Sequence, residues 1–113
     1  MILSFTLSMP NVNSWNGRWS GEDRLFVVCR SFRGRKEIAN AQKIAEKGYY
    51  HYSWGDGWAA GIRVQEVTSR GAQKLRQKSA GFSGYDWMID SIIKHGEPLA
   101  PHQVAARREA AGA

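Results

Sequence analysis

At 113 residues with five Trp, four Tyr and four Phe, the chain is long enough to bury one hydrophobic core without covalent staples and leaves no room for a second domain. Its one cysteine, Cys29, excludes an intramolecular disulfide and a cysteine-built metal cluster, which fits a reducing cytosol. There is no run of about twenty apolar residues to span a membrane, and the opening MILSFTLSMP lacks the basic leader of a signal peptide and alternates like a strand.

The formal net charge is +6, with an isoelectric point near 9.8. Residues 30–78 concentrate it, holding eleven basic side chains against four acidic ones, an excess of +7, while the flanks together come to −1. Such a field favours nucleic acid, nucleotides, acidic proteins or anionic membranes as partners. A modest positive charge also serves solubility alone.

In chain order, Leu3, Phe5, Leu7 and Met9 alternate with Ser4, Thr6 and Ser8, which predicts a half-buried first strand over residues 2–9. Pro10 ends it. Residues 11–23 follow as a loop rich in Asn, Ser and Gly that carries Trp15, Arg18 and Trp19; a loop of this length with aromatics of its own is more often ordered and functional than slack. Residues 24–32, RLFVVCRSF, predict a second strand, antiparallel to the first and central in the sheet because its middle is apolar on both faces. A basic turn with Gly34 then leads into residues 36–47. There Ile38, Ala41, Ile44 and Ala45 recur at helical spacing, Glu37 sits in the first turn, and Lys47 with Gly48 marks the stop.

Residues 49–67, YYHYSWGDGWAAGIRVQEV, are the densest aromatic run and read as a β-hairpin. A two-residue Asp56-Gly57 loop would leave both of its faces half apolar. A three-residue Gly55-Asp56-Gly57 loop sets Trp54 opposite Trp58, Tyr52 opposite Ala60 and Tyr50 opposite Ile62. The large apolar groups then share one face, and Tyr49, His51, Ser53, Arg63 and Gln65 the other, as a half-buried antiparallel sheet requires. This second register is the expected one, with Gly57 in the left-handed position of a bulged turn.

Thr68-Ser69 offers an N-cap for a short helix in which Ala72 and Leu75 face one way and Arg70, Lys74, Arg76 and Lys78 the other. Beyond Gly81, Ser83 and Asp86 make a start resembling a capping box. Tyr85, Met88, Ile89, Ile92 and Ile93 then form the clearest helical stripe in the chain, which Gly96 and Pro98 close. Residues 98–113 are an Ala-rich tail beyond a compact domain of residues 1–97, readable as a frayed segment, a marginal helix or a partner-docking arm. The expectation is a two-layer α+β domain: a mainly antiparallel four-stranded sheet, in chain order ββαββα plus a last helix, covered on its aromatic face by the helices.

Several residues are candidates for chemistry. Trp15 and Trp19, separated by Asn16, Gly17 and Arg18, could form a platform where a base or sugar stacks on an indole while Arg18 takes a phosphate. Equally, both indoles could fold back as lids over the core. His51, beside Tyr49 and expected across from Arg63, is the best-placed histidine for acid/base work or phosphate contact; His95 sits where it complements a helix C-terminus, and His102 lies in the tail. Arg33, Arg35 and Lys36 could hold an anion at a helix start or simply be a solvated turn. Arg70, Lys74, Arg76 and Lys78 could track a phosphate backbone or form a solvated helix face. No GxSxG, GxxxxGK or HExxH pattern occurs. The expectation is binding without catalysis, with neither cofactor nor metal.

Residues 14–22 (SWNGRWSGE), 55–60 (GDGWAA) and 84–93 (GYDWMIDSII) together resemble a group of small uncharacterised proteins from bacteriophages and prophages. The resemblance supplies no catalytic residues. It implies a setting, the cytoplasm of a bacterial host, and a role as an anti-CRISPR-like antagonist. Phage accessory proteins of this size dock on a defence protein, block its nucleic-acid path or sequester a nucleotide signal. Many such inhibitors are acidic mimics of nucleic acid, so a basic chain makes mimicry the least favoured of these. The expected partner is a host-defence protein or its nucleic-acid complex. The alternatives are a nonspecific nucleic-acid-binding module and a nucleotide-sequestering protein, the latter a homo-oligomer that shapes its pocket.

Overall fold

A computed structural model of the protein describes residues 1–9, 24–53, 59–77 and 86–112. Alternation in the first strand, β1 (Ile2–Met9), decides the inside of the molecule: Leu3, Phe5 and Leu7 are fully buried on one face. β1 pairs antiparallel with β2 (Arg24–Ser31) on one side and with β4 (Ala59–Val67) on the other. β3 (Tyr49–Ser53) pairs with β4, giving the order β2-β1-β4-β3. With the helices α1 (Arg35–Lys47), α2 (Ser69–Gln77), α3 (Asp86–His95) and α4 (Pro101–Gly112), the fold is α+β with a four-stranded antiparallel sheet, as expected.

The hairpin adopts the register of the three-residue turn. Tyr50 faces Ile62 and Tyr52 faces Ala60, and all four are buried. The turn itself, residues 54–58 with the expected Trp54–Trp58 pair and the left-handed Gly57, lies outside the described residues, and the described pairs run as far as Ser53 with Ala59.

One placement is corrected. β2, expected in the centre, is an edge strand among the described residues, and β1 and β4 are the central pair. Apolar residues on both faces of a strand report what lies above and below it; they say nothing of its lateral neighbours. Phe26 and Val28 point to the core cluster, whereas Val27 and Cys29 point to the other face and are half-buried.

Helices α1 and α3 cover the core face. Ala41 and Ile44 of α1, with Met88, Ile89 and Ile92 of α3, join Leu3, Phe5, Leu7, Ile62 and Val64 in one cluster. Asn40 Nδ2 donates to the Ile93 carbonyl at 2.8 Å and ties the two helices together. The stop at Gly48 is built as its sequence suggests, with φ 72°, and its N–H reaches the Ile44 carbonyl at 3.1 Å. The Gly48 carbonyl in turn accepts the Val64 N–H at 2.8 Å, so the end of α1 is fastened to a central strand. At the start of α1, Glu37 reaches back to accept the N–H of Arg33, the residue before the Gly34 N-cap, at 2.9 Å.

α2 departs from the expectation that all helices share the aromatic face. It runs against β1, β2 and β4, yet its buried Ala72 stands outside the core cluster. Ser4, on the face opposite Leu3 and Phe5, is fully buried as well. α2 therefore covers one end of the second face. Thr68 caps it as expected, its Oγ1 accepting the Gly71 N–H at 3.1 Å.

The Ala-rich tail forms α4, and Ala100 just before it belongs to the core cluster. Ser91 holds the connection: its hydroxyl donates to the Glu97 carbonyl at 2.7 Å and accepts the Leu99 N–H at 2.8 Å. No helix among the described residues is long and apolar enough to cross a membrane.

Candidate functional site

The second face of the sheet beyond α2 is where residue types change. Directly opposed residues in antiparallel strands point to the same side, so the pairings place Thr6 and Ser8 of β1, Leu25 of β2, Gly61, Arg63 and Gln65 of β4, and Tyr49 and His51 of β3 together. These residues line an open groove of about 660 Å³. Tyr49 and Leu25, at 53% and 46% exposed, are the large hydrophobic side chains that the described surface leaves to solvent, and both stand in this groove. Two hollows on the helical side, lined by Tyr50, Pro98 and Leu99 and by Trp87, Lys94 and Val104 among others, are half that size at about 330 Å³ each.

Tyr49 owes its position to a glycine. A Cβ at Gly61 would lie 2.8 Å from the Tyr49 hydroxyl oxygen and 3.4 Å from two of its ring carbons. The ring therefore rests across β4 where a side chain would otherwise stand. Glycine inside a strand weakens it and marks a close approach; here the approaching group is an aromatic ring from the edge strand.

The electrostatics are one-sided. Among the described residues, the second face and α2 carry Arg63, Arg70, Lys74 and Arg76 and not a single Asp or Glu. The described acids lie elsewhere: Glu37 and Glu46 on α1, Asp86 and Asp90 on α3, Glu66 on the core side of β4, and Glu97 and Glu109 towards the C-terminus. There, among the described residues, Arg30 Nη2 meets Asp90 Oδ1 at 3.4 Å. Of the described charges over residues 30–78, Arg63, Arg70, Lys74 and Arg76 stand on the second face and α2 without an acid, while Arg30, Arg33, Arg35, Lys36, Lys43 and Lys47 lie elsewhere with Glu37, Glu46 and Glu66 among them.

The candidate residues from the sequence fall into three groups. Tyr49, His51 and Arg63 share the groove. The register that sets Tyr50 opposite Ile62 also sets Arg63 opposite Tyr49 and Gly61 opposite His51, so the expectation of His51 across from Arg63 miscounted that register by one two-residue step. Alternation puts all three on one face and cannot separate these pairings; only the step count from the turn can. Arg70, Lys74 and Arg76 are exposed on α2, on the same side but not in the groove walls. Trp15, Asn16, Arg18, Trp19 and Lys78 lie outside the described residues.

Thr6, Ser8, Leu25 and Gln65 were not candidates. The polar positions of β1 announced a non-core face, but only the strand order, in which β1 adjoins β4, brings them beside the Tyr49 ring. On the opposite side, Tyr50 is structural: its hydroxyl donates to the Ile44 carbonyl at 3.4 Å, Lys47 Nζ sits 4.6 Å from its ring centroid, and burial pushes its phenol above the ordinary 10.0. No group of three or more His, Cys, Asp or Glu side chains among the described residues is placed to hold a metal ion.

The arrangement offers an exposed ring, a guanidinium, an imidazole and several hydroxyl and amide groups on a surface that carries no acid among the described residues. Set against protein-family models, curated proteins and solved structures, the chain matches none of them, so its function has to be read from this face.

Proposed function

We propose that the protein is a phage-type accessory protein that acts by binding, and that it antagonises a host-defence component by docking the second face of its sheet on that component's nucleic-acid complex. What supports this reading above all is the partition of charge. Arg63, Arg70, Lys74 and Arg76 stand on one side without a carboxylate among the described residues, while the acids lie on the helical side and towards the C-terminus. An unmatched cationic face attracts a polyanionic surface and speeds encounter with it. The resemblance of three sequence segments to phage and prophage proteins supplies the biological setting.

The experiment is expression of the chain in a bacterium with an active defence system, followed by phage challenge and affinity capture. Restored plaque formation is expected, together with capture of a defence complex that is lost when Arg63, Arg70, Lys74 and Arg76 are all changed to Gln. Unchanged restriction across a panel of defence systems, with nothing of that class captured, would overturn the proposal.

A further inference from the structure

We infer that the groove on the second face is a subsite for one unpaired nucleotide of a single-stranded nucleic acid, its base stacked on Tyr49 and its phosphate held by Arg63. The inference rests on the reading of this face as the contact surface, but it requires no particular host target.

The ring comes first. An exposed tyrosine on an edge strand normally has freedom to swing into water. Tyr49 instead lies across Gly61, where even a Cβ would come within 2.8 Å of its hydroxyl oxygen, and still leaves 53% of its surface exposed. Laying an aromatic ring on a sheet with surface open to solvent is how sheet-based readers of single strands present a stacking platform, because every base has a π-face. A tyrosine that served the core would point the other way, as Tyr50 and Tyr52 do at 4% and 8% exposed.

The charge follows. Arg63 is the residue directly opposite Tyr49, where side chains on one face stand about 5 Å apart at Cβ. That is a suitable offset for a guanidinium to take the phosphate of a nucleotide whose base covers the ring. Among the described residues Arg63 has no carboxylate partner. Thr6, Gln65 and His51 line the same groove and supply hydrogen-bonding groups for a base edge or a sugar.

The shape selects a strand over a free nucleotide. At about 660 Å³ the groove has room for a nucleotide, but it is a trough on a flat sheet and does not enclose its contents. A mononucleotide there would keep much of its surface in water. A strand passing through the trough gains further phosphate contacts from Arg70, Lys74 and Arg76 on α2, which stand on the same side and carry no acid between them. Duplex nucleic acid cannot use the platform, because its bases are already stacked and paired.

The test is fluorescence anisotropy with a labelled oligothymidylate of about twelve nucleotides, within the length range such folds engage, against the intact chain. Tyr49→Ala is expected to weaken binding roughly 5- to 150-fold, the loss seen when one stacked base is deprived of its aromatic partner, and Tyr49→Trp to preserve it. Gly61→Ala, which removes no functional group, is expected to weaken binding in the wild-type background and to have no further effect in the Tyr49→Ala background, since both changes act through the same ring. Arg63→Gln is expected to lower the slope of log affinity against log salt by about 0.7, the share of one phosphate on a single strand. Circular dichroism and thermal melts on every variant separate lost binding from lost folding.

Equal affinity for a twelve-base-pair duplex, undiminished binding by Tyr49→Ala, or displacement of the oligonucleotide by thymidine monophosphate as effectively as by the strand would each overturn the inference. If the oligonucleotide fails to bind while a defence complex is still captured, the subsite is wrong and the proposed function stands. If it binds while no defence complex is captured, the reverse holds.

Discussion

The two faces of the sheet are made by the same strands, and neighbouring residues of β1 belong to opposite ones. On the helical side, Phe5 and its neighbours are fully buried under α1 and α3, and polar groups near them are paired, as in Arg30 with Asp90 and Asn40 with the Ile93 carbonyl. On the other side, α2 covers one end, where Ser4 of β1 and its own Ala72 are buried, and the rest presents Thr6, Ser8, Gly61 and Arg63 around an exposed ring. The helical side satisfies what it buries. The second side keeps an in-strand glycine, a guanidinium without a carboxylate partner among the described residues and an exposed aromatic, each of which costs stability or solubility where packing is the only requirement. The difference teaches that the folding free energy comes chiefly from one face, which leaves the other free to be shaped by a ligand.

The sharpest way to break that comparison is within β1. Phe5→Ala should destabilise the chain by about 3–5 kcal/mol, as expected for an aromatic residue removed from a closed core. Thr6→Ala next to it should stay within about 0.5 kcal/mol. Urea denaturation followed by tryptophan fluorescence measures both, and comparable losses would mean that the second face is also a core.

A smaller effect tests how α2 is held on that face. Thr68→Ala removes the acceptor for the Gly71 N–H and should cost about 1 kcal/mol, with faster amide exchange in α2 and around Ser4 but not in α3. Exchange that rises equally in α3 would show that α2 belongs to the same cooperative unit as the core.

The buried phenol of Tyr50 gives a test in pH. Its pKa in the folded chain is raised above 10.0 by burial, so below that value both folded and unfolded chains hold the proton and stability is unaffected. As pH rises past 10.0 the unfolded chain releases the proton first, and stability falls through the window up to the higher folded value. Tyr50→Phe should flatten this alkaline loss relative to wild type. A parallel loss in both would assign it to other groups.

The smallest effect belongs to the groove. Arg63→Gln should leave stability within about 0.5 kcal/mol, because Arg63 is exposed and has no acid partner among the described residues. A larger loss would make this guanidinium structural and weaken the contrast between the faces.

Much of the fold was legible because its signals are local. The alternation of Leu3, Phe5 and Leu7, the segregation that chose the hairpin register, the stop at Gly48, the Thr68 cap and the stripe of Met88, Ile89 and Ile92 all depend on residues within a turn or a strand of one another. What failed was non-local. β2 looked central because apolarity on two faces is felt through layers, and the layer above its second face is α2, from more than thirty residues away in the chain. The amphipathic stripe of α2 announced that the helix packs, but no periodicity says on which side of a sheet. Of the site, Tyr49, His51 and Arg63 were legible as outward residues of one hairpin. The walls from β1 and β2 were not, since the strand order that brings them there is set by long-range pairing.

The close approach of Tyr49 to Gly61 also has a consequence for how the chain can vary over time. Positions 49 and 61 are coupled: a Cβ acquired at 61 comes within 2.8 Å of the Tyr49 hydroxyl oxygen and shifts the ring from its seat, and once the ring is lost nothing further requires a glycine there. In descendants of this sequence the two positions should change together, with an aromatic residue at 49 found beside glycine and a side chain at 61 found beside a small or flexible residue. That joint pattern would be the record of selection on the ring, legible without any knowledge of what it binds.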